Sequence, residues 1–460
     1  MDVAIGTVLA FLYRFLGMIF LALVSVITAR ELSVEDRGVF VAAVVIISAI
    51  GSLVASFSSA TGYFVSNKNR PPGEVAFNAT ILSLLMGLVV FAVCFVLWVL
   101  LRPGLLPFAD DIRFFERASN ERQIILLIGF SLFPMVARHA LGGVSLGLNH
   151  QGRYSFSIYG PSYTAVFLFV FWFILLDHRS AESAIALWIL SQYASLIVQA
   201  AIGWNWWSWA LHHRPDFGLI RDFLTFGTVT GLAGFVSYFN YRIDQILVFT
   251  IDGSRGSGIY ATAVNFAEGL WLFSTALSIS AFARVGSLDR ENAAELTARS
   301  VRHTLLMSAS AGAAIFVLAP YLIEGVFGAR YLPATESLRI LTVGTVLWAP
   351  AAILSNYFSI QLGRPSIPLF LALTSCTINV IVSSLLIPQY GFKGAAWGTT
   401  ISYSFTIILT SIVFLRMSDA HHSDLWRIRK DDILSYFRLA NRILHGELFR
   451  HFLPGSRPAA

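Results

Sequence analysis

The chain has 460 residues, of which 56% are hydrophobic and only 13% charged, with 38 phenylalanines and a formal net charge of +6. So large an apolar fraction excludes a water-soluble enzyme and points to a chain whose main solvent is lipid. Cys94 and Cys376 each stand alone in apolar sequence, which indicates neither a disulfide framework nor a cysteine metal site.

A helix rises about 1.5 Å per residue and the bilayer core is roughly 30 Å thick. Apolar runs of that length fall near 4–29, 38–65, 75–101, 123–149, 155–177, 182–210, 223–251, 257–284, 302–327, 337–362, 366–388 and 394–416, which predicts twelve membrane-spanning helices. The first run is too long for a signal-peptide apolar region and is expected to stay as an anchor. Turn chemistry separates the runs, as in "NKNRPPGE" (67–74), "DGSRGSG" (252–258) and "PQYGFKG" (388–394). Only 102–122 and the tail after 416 are longer connections, so no soluble catalytic domain is expected. Residues 287–303 read as a hydrophilic extension of the ninth span, and "WNWWSW" (204–209) as an interfacial aromatic belt.

Twelve spans put both termini on one face, and Arg427, Arg429, Lys430, Arg438, Arg442, Arg450 and Arg457 in the tail argue that this face is cytoplasmic. In the tail, Ile433, Phe437, Ala440, Leu444 and Leu448 recur at three- and four-residue steps among arginines. That pattern predicts an amphipathic helix, lying either on anionic lipid or on the protein's own cytoplasmic loops.

The chain echoes itself. "GVFVAAV" (38–44) opens the second span and "GIYATAV" (258–264) the eighth, while "QGRYSFSI" (151–158) leads into the fifth and "LGRPSIPL" (362–369) into the eleventh. Both echoes pair a span with the one six later, as duplication of a six-helix unit would. The expected organisation is a lobe at 1–211, a second at 212–416 related to it by a pseudo-two-fold axis, and a basic tail at 417–460.

Charges inside spans cost roughly 2.5–3.5 kcal/mol at a helix centre and normally face protein or a water-filled cavity. They are Arg14, Arg138 beside His139, Arg242, Asp244 and Glu268. Arginine suits bidentate recognition of phosphate or carboxylate, so Arg14, Arg138 and Arg242 are candidate contacts for an anionic substrate between the lobes. Each could instead pair with an acidic residue or helix-end carbonyls and fix packing. Asp244 and Glu268 are candidate carriers of a coupling proton or sodium ion, with a fixed salt bridge as the alternative. Arg242 and Asp244 point about 200° apart on one helix and cannot share a face. Gly142, Gly143 and Gly147, and Gly227, Gly231 and Gly234, are expected to let helices approach closely. Pro134, Pro161, Pro320, Pro350 and Pro368 are expected to kink spans. No GxxxxGK[ST] loop, metal-ligand cluster or nucleophilic constellation is present in the sequence, so neither cofactor nor enzyme activity is expected.

Several stretches together resemble the Wzx-type oligosaccharide-lipid flippases, or polysaccharide biosynthesis proteins, of the MOP superfamily. They are "ARELSVEDRGVFVAAV" (29–44), "YRIDQILV" (241–248) with "GIYATAVNFAEGL" (258–270), "LIEGVFGARYLPATESLRIL" (322–341) and "NVIVSSLLIPQYGFKGAAWGTTISY" (379–403). The resemblance implies a MATE-like all-α fold of two six-helix lobes in the bacterial inner membrane. It also implies alternating-access transfer of an undecaprenyl-diphosphate-linked oligosaccharide to the periplasmic leaflet, for O-antigen, exopolysaccharide or capsule synthesis. The arginines would then match a cationic cavity, and Asp244 an aspartate typical of the family's seventh helix. Polymerase and chain-length proteins of the same pathway would be partners; nucleic acid would not. Two competing readings are a membrane-embedded polymerase or glycosyltransferase, using Asp110, Asp111, Arg113, Glu116 and Arg117, and a solute carrier of another twelve-helix fold.

Overall fold

In the computed structural model the described residues are 3–101, 121–175, 177–203, 213–272, 274–275, 277–278, 285, 288–418, 425–427 and 432. Among them every regular element is helical. The first half contains α1 (Val3–Glu31), α2 (Val34–Ala55), α3 (Phe57–Ser66), α4 (Pro72–Leu100), α5 (Glu121–Gly147), α6 (Gln151–Phe169) and α7 (Ala181–Ile202). The second contains α8 (Phe217–Ile251), α9 (Gly253–Glu268), α10 (Arg290–Phe327), α11 (Ala334–Trp348), α12 (Ala351–Asn356), α13 (Ser366–Tyr390) and α14 (Phe392–Met417). Each of the twelve predicted runs contains helix, and nine helical segments among the described residues are long and apolar enough to cross a bilayer. The protein is a multi-pass membrane protein.

Local chemistry accounts for the helix ends. Ser33 accepts the Asp36 N–H at 3.0 Å, Ser180 forms a capping box with Ser183, and Asp216 accepts the Leu219 N–H at 3.1 Å. Pro350 separates α11 from α12, and Gly391, at φ +57°, makes the sharp step from α13 to α14. The predicted extension of the ninth span is helical from Arg290 onward. Residues 102–120 and 204–212, the tail pattern at 433–448 and the side chain of Arg14 lie outside the described residues.

Contacts divide the chain into two compact units: Met1–Asn265 with Leu318–Leu341 and Ser375–Thr399, and Phe266–Val317 with Thr342–Thr374 and Thr400–Ala460. In the first, small residues bring helices together as expected. A Cβ on Gly143 would lie 2.1 Å from the Ser58 carbonyl, and one on Gly231 would lie 2.1 Å from the Leu53 carbonyl. Hydroxyls reinforce these crossings: Thr61 donates to the Ala140 carbonyl at 2.8 Å and Ser56, at the α2–α3 break, to the Gly227 carbonyl at 2.7 Å. The aromatic core around Phe40, Phe169, Phe173 and Trp188 fills the space between α2, α6 and α7. In the second unit Trp348 stacks on Tyr403 with centroids 4.9 Å apart, Asn356 donates to Ser278, and a buried ion pair joins Arg302 to Asp432 at 2.8 Å. That pair anchors the tail to α10, so at this point the tail docks on protein.

Candidate functional site

Asp244 is 3% exposed, in the C-terminal part of α8. Its Oδ2 accepts the Tyr260 hydroxyl at 2.6 Å and the Thr399 hydroxyl at 3.0 Å, and its Oδ1 accepts the Gln245 N–H at 2.8 Å. Behind Thr399, Asn379 donates to it at 3.4 Å and in turn accepts from Ser383 at 2.7 Å. Helices α8, α9, α13 and α14 thus converge on one carboxylate. Asn240, one turn before Asp244 and therefore on the same helix face, is buried with its Oδ1 unbonded among the described residues. A carboxylate offers about four acceptor sites, of which three are used here. The remaining acceptor site of Asp244 can take up a proton or a small cation, and Asn240 lies on the same helix face. The fixed salt bridge considered from sequence is not formed: among the described residues Asp244 has no ion pair. Tyr260, Thr399, Asn379 and Asn240 escaped the sequence reading because uncharged polar residues abound in spans. Their one signal was a four-residue step from Asn240 to Asp244.

Arg138 is buried in α5, where it donates to the Ile158 carbonyl at 3.3 Å and to Gln192 Oε1 at 3.1 Å, while Gln199 donates to its own carbonyl at 3.1 Å. These bonds tie α5 to α6 and α7. Its Nε has no partner among the described residues. The bonds of Arg138 and those of Asp244 share no residue. Arg242 is half-buried on α8, and Glu268 is half-buried at the end of α9.

A second constellation centres on Arg37, which the sequence does not single out. It is fully buried and donates to the Gly258 carbonyl at 2.8 Å, to the Thr262 hydroxyl and to Ser25 Oγ at 3.3 Å. Its guanidinium lies 4.7 Å from the Tyr331 ring centroid and 5.1 Å from that of Phe327. Arg330 donates to the carbonyls of Ala29 and Arg30, and Arg30 to those of Gly325 and Val326. The end of α1 and start of α2 are therefore stitched to the start of α9 and the turn after α10.

This contact is two-fold symmetric in sequence. A Cβ on Gly38 would strike the Ser254 carbonyl at 1.7 Å, and one on Gly258 would strike the Val34 carbonyl at 2.2 Å. Glu35 pairs with Arg255 at 2.8 Å. Arg37 donates to the Gly258 carbonyl while Ser257 donates to that of Gly38 at 3.5 Å. Each first-half residue has its repeat counterpart 220 positions later: Val34 and Ser254, Glu35 and Arg255, Arg37 and Ser257, Gly38 and Gly258. The two echoing segments meet each other.

Residues 165–336 match a family model described as polysaccharide biosynthesis protein. The probable low-salt glycan biosynthesis flippase Agl15 of Haloferax volcanii is 24% identical over 48% of this chain and 47% of its own length, so the chain spans about half the length of the curated relatives it matches. Among solved structures, a multidrug resistance MATE family transporter of the MOP superfamily in an inward-facing conformation aligns with a TM-score of 0.70 at 17% identity, covering 87% of this chain and 94% of that one. The lipid II flippase MurJ, in an inward closed conformation, aligns with a TM-score of 0.70 at 14% identity, covering 97% and 99%.

Proposed function

We propose that this chain, which has the MOP-superfamily fold and bears out the resemblance to its polysaccharide biosynthesis proteins, is a flippase for a lipid-linked oligosaccharide. The substrate class is an undecaprenyl-diphosphate-linked repeat unit, moved from the cytoplasmic to the periplasmic leaflet of a bacterial inner membrane, with both termini cytoplasmic. The observation that carries this reading is the family match across residues 165–336 within that fold.

In this reading the lobes 1–211 and 212–416 alternate access. The Arg37 constellation lies where the first, seventh and ninth predicted spans end, which is the outer face if the termini are cytoplasmic. It supports a closed outer end, and release to the periplasm requires these bonds to part. Arg14, Arg138 and Arg242 supply cations for the diphosphate and acidic sugars, with Arg138 also bracing α5 against α6 and α7. Asp244, with Tyr260, Thr399 and Asn240 around it, takes up the coupling proton or sodium ion, and Glu268 is the second candidate. The tail meets anionic lipid beyond its anchor at Asp432, and polymerase and chain-length proteins receive the product.

The test is the leaflet distribution of lipid-linked repeat units in cells with and without the protein, read by an outer-face labelling reagent and mass spectrometry. Complete repeats accumulating on the inner face in its absence support the flippase. Unpolymerised repeats still reaching the outer face would overturn it in favour of a polymerase.

A further inference from the structure

Within the second compact unit, Arg290, Arg364 and Arg416 line one cavity of about 330 Å³ with Leu362 and Met417. One ordered water needs only about 10–15 Å³ of such space, so the cavity has room for a polyatomic ligand. The three arginines come from separate parts of the chain: the first residue of α10, the turn between α12 and α13, and the last turn of α14. Each is exposed. Each also follows an even number of predicted spans, so all three sit on one membrane face, where the chain crosses the headgroup layer.

Among the described residues no ion pair is formed by Arg290, Arg364 or Arg416, whereas Arg70, Arg179, Arg255 and Arg302 do pair with carboxylates. The neighbouring carboxylate of Asp289 is turned to the start of α10, accepting the Asn292 N–H at 3.3 Å and its Nδ2 at 2.6 Å. Arg416 is at home near a helix C-terminus, but Arg290 opens a 38-residue helix, where the positive end of the dipole disfavours a cation. Arg290 is nonetheless held there, donating to the Met417 carbonyl. Arg364 is fixed as well: a π-helical turn over Tyr357–Gln361 ends with the Leu362 N–H on the Tyr357 carbonyl at 3.1 Å and the Arg364 N–H on the Phe358 carbonyl at 2.8 Å, with Gly363 at φ +63°. The site is a cationic cavity whose lining includes the apolar Leu362 and Met417, and like charges brought together in this way are stabilised by an anion.

We infer that this cavity binds the phosphate of an anionic lipid headgroup, with the arginine forks on the phosphate oxygens and Leu362 and Met417 against the glycerol and first acyl carbons. Basic pockets between spans recognise lipid phosphates by the same chemistry. The inference needs only a membrane-embedded chain and stands apart from the flippase reading, so transport can fail without touching it.

The test is native mass spectrometry of the full chain in detergent, titrated with cardiolipin, with phosphatidylcholine and with inorganic diphosphate. The wild type is expected to retain cardiolipin at least ten-fold better than phosphatidylcholine. The double variant R364Q/R416Q should lose that preference at least ten-fold, and R427Q, a tail arginine outside the cavity, should keep it. Thermal unfolding of the double variant near the wild-type temperature checks that the chain is folded, and single R364Q, with an intermediate loss, gives the same reading independently. Cardiolipin retention unchanged in R364Q/R416Q, or reduced equally in R427Q, overturns the site. Diphosphate bound as tightly as cardiolipin, and not displaced by it, overturns the lipid assignment in favour of a soluble anion.

Discussion

Asp244 and Arg37 are both buried in a chain made mostly of apolar residues, and each is held by groups of no formal charge. Asp244 has three donors and one acceptor site to spare, with Asn240 on the same helix face. If it is the coupling carboxylate, D244N keeps the shape of the side chain but removes its charge and turns one acceptor oxygen into an NH2 donor. Uptake driven by an imposed ion gradient in proteoliposomes is then expected to fall at least ten-fold, with substrate binding retained; equal loss of both would mark a structural residue. Y260F and T399A are each expected to weaken coupling less than D244N, because each removes one donor of three. Arg37 differs in kind: charged-group hydrogen bonds are worth about 1.5–3 kcal/mol each, and stacking on an aromatic ring about 2 kcal/mol when desolvated. R37K keeps the charge but loses the planar fork, whose Nη1 reaches Gly258 and Thr262 and whose Nη2 reaches Ser25 while the guanidinium lies against Tyr331. It is expected to behave as a loss-of-contact variant, with a lowered unfolding midpoint in detergent.

At the level of elements, the meeting of α2 with α9 depends on two glycines whose Cβ positions are occupied by the partner's backbone. Backbone cannot move aside as a flexible side chain can, so G38A and G258A are each expected to part this end. Crosslinking between cysteines placed at Glu35 and Arg255 measures this directly: efficient in the wild-type background, and reduced several-fold by either alanine. Unchanged crosslinking would mean that the crossing tolerates a methyl group. The helices themselves were legible because lipid demands long apolar runs, and the glycine steps in α5 and α8 announced close crossings correctly. The echo of "GVFVAAV" in "GIYATAV" marked a duplication, but not that the two copies touch. Contact between segments 220 residues apart leaves no periodicity to read. Arg37 was passed over for a similar reason: beside Glu35 and Asp36 it looks like a solvated turn charge, and only the fold carries it inward past both carboxylates.

At the scale of the molecule, composition established the membrane class, and the MOP fold accounts for the twelve runs as two lobes. The candidate site was legible in its charged members, Asp244 above all, because charge in a span is rare. Its uncharged partners were not, because Thr399 and Tyr260 become special only where α9 and α14 converge on α8. In the tail, Asp432 hides its role among flanking arginines, yet it is this acid that meets Arg302. D432N is expected to release the tail from α10, seen as faster limited proteolysis after residue 418. The central claim, that the chain carries a lipid-linked oligosaccharide across a bilayer, is tested most directly with the purified protein in vesicles. A polyprenyl-diphosphate-linked oligosaccharide is loaded in one leaflet and its appearance in the other is followed with an impermeant glycan-modifying reagent. The account predicts protein-dependent transfer that falls at least ten-fold in R14Q and in D244N. Transfer no faster than in protein-free vesicles, or full transfer in both variants, would contradict it.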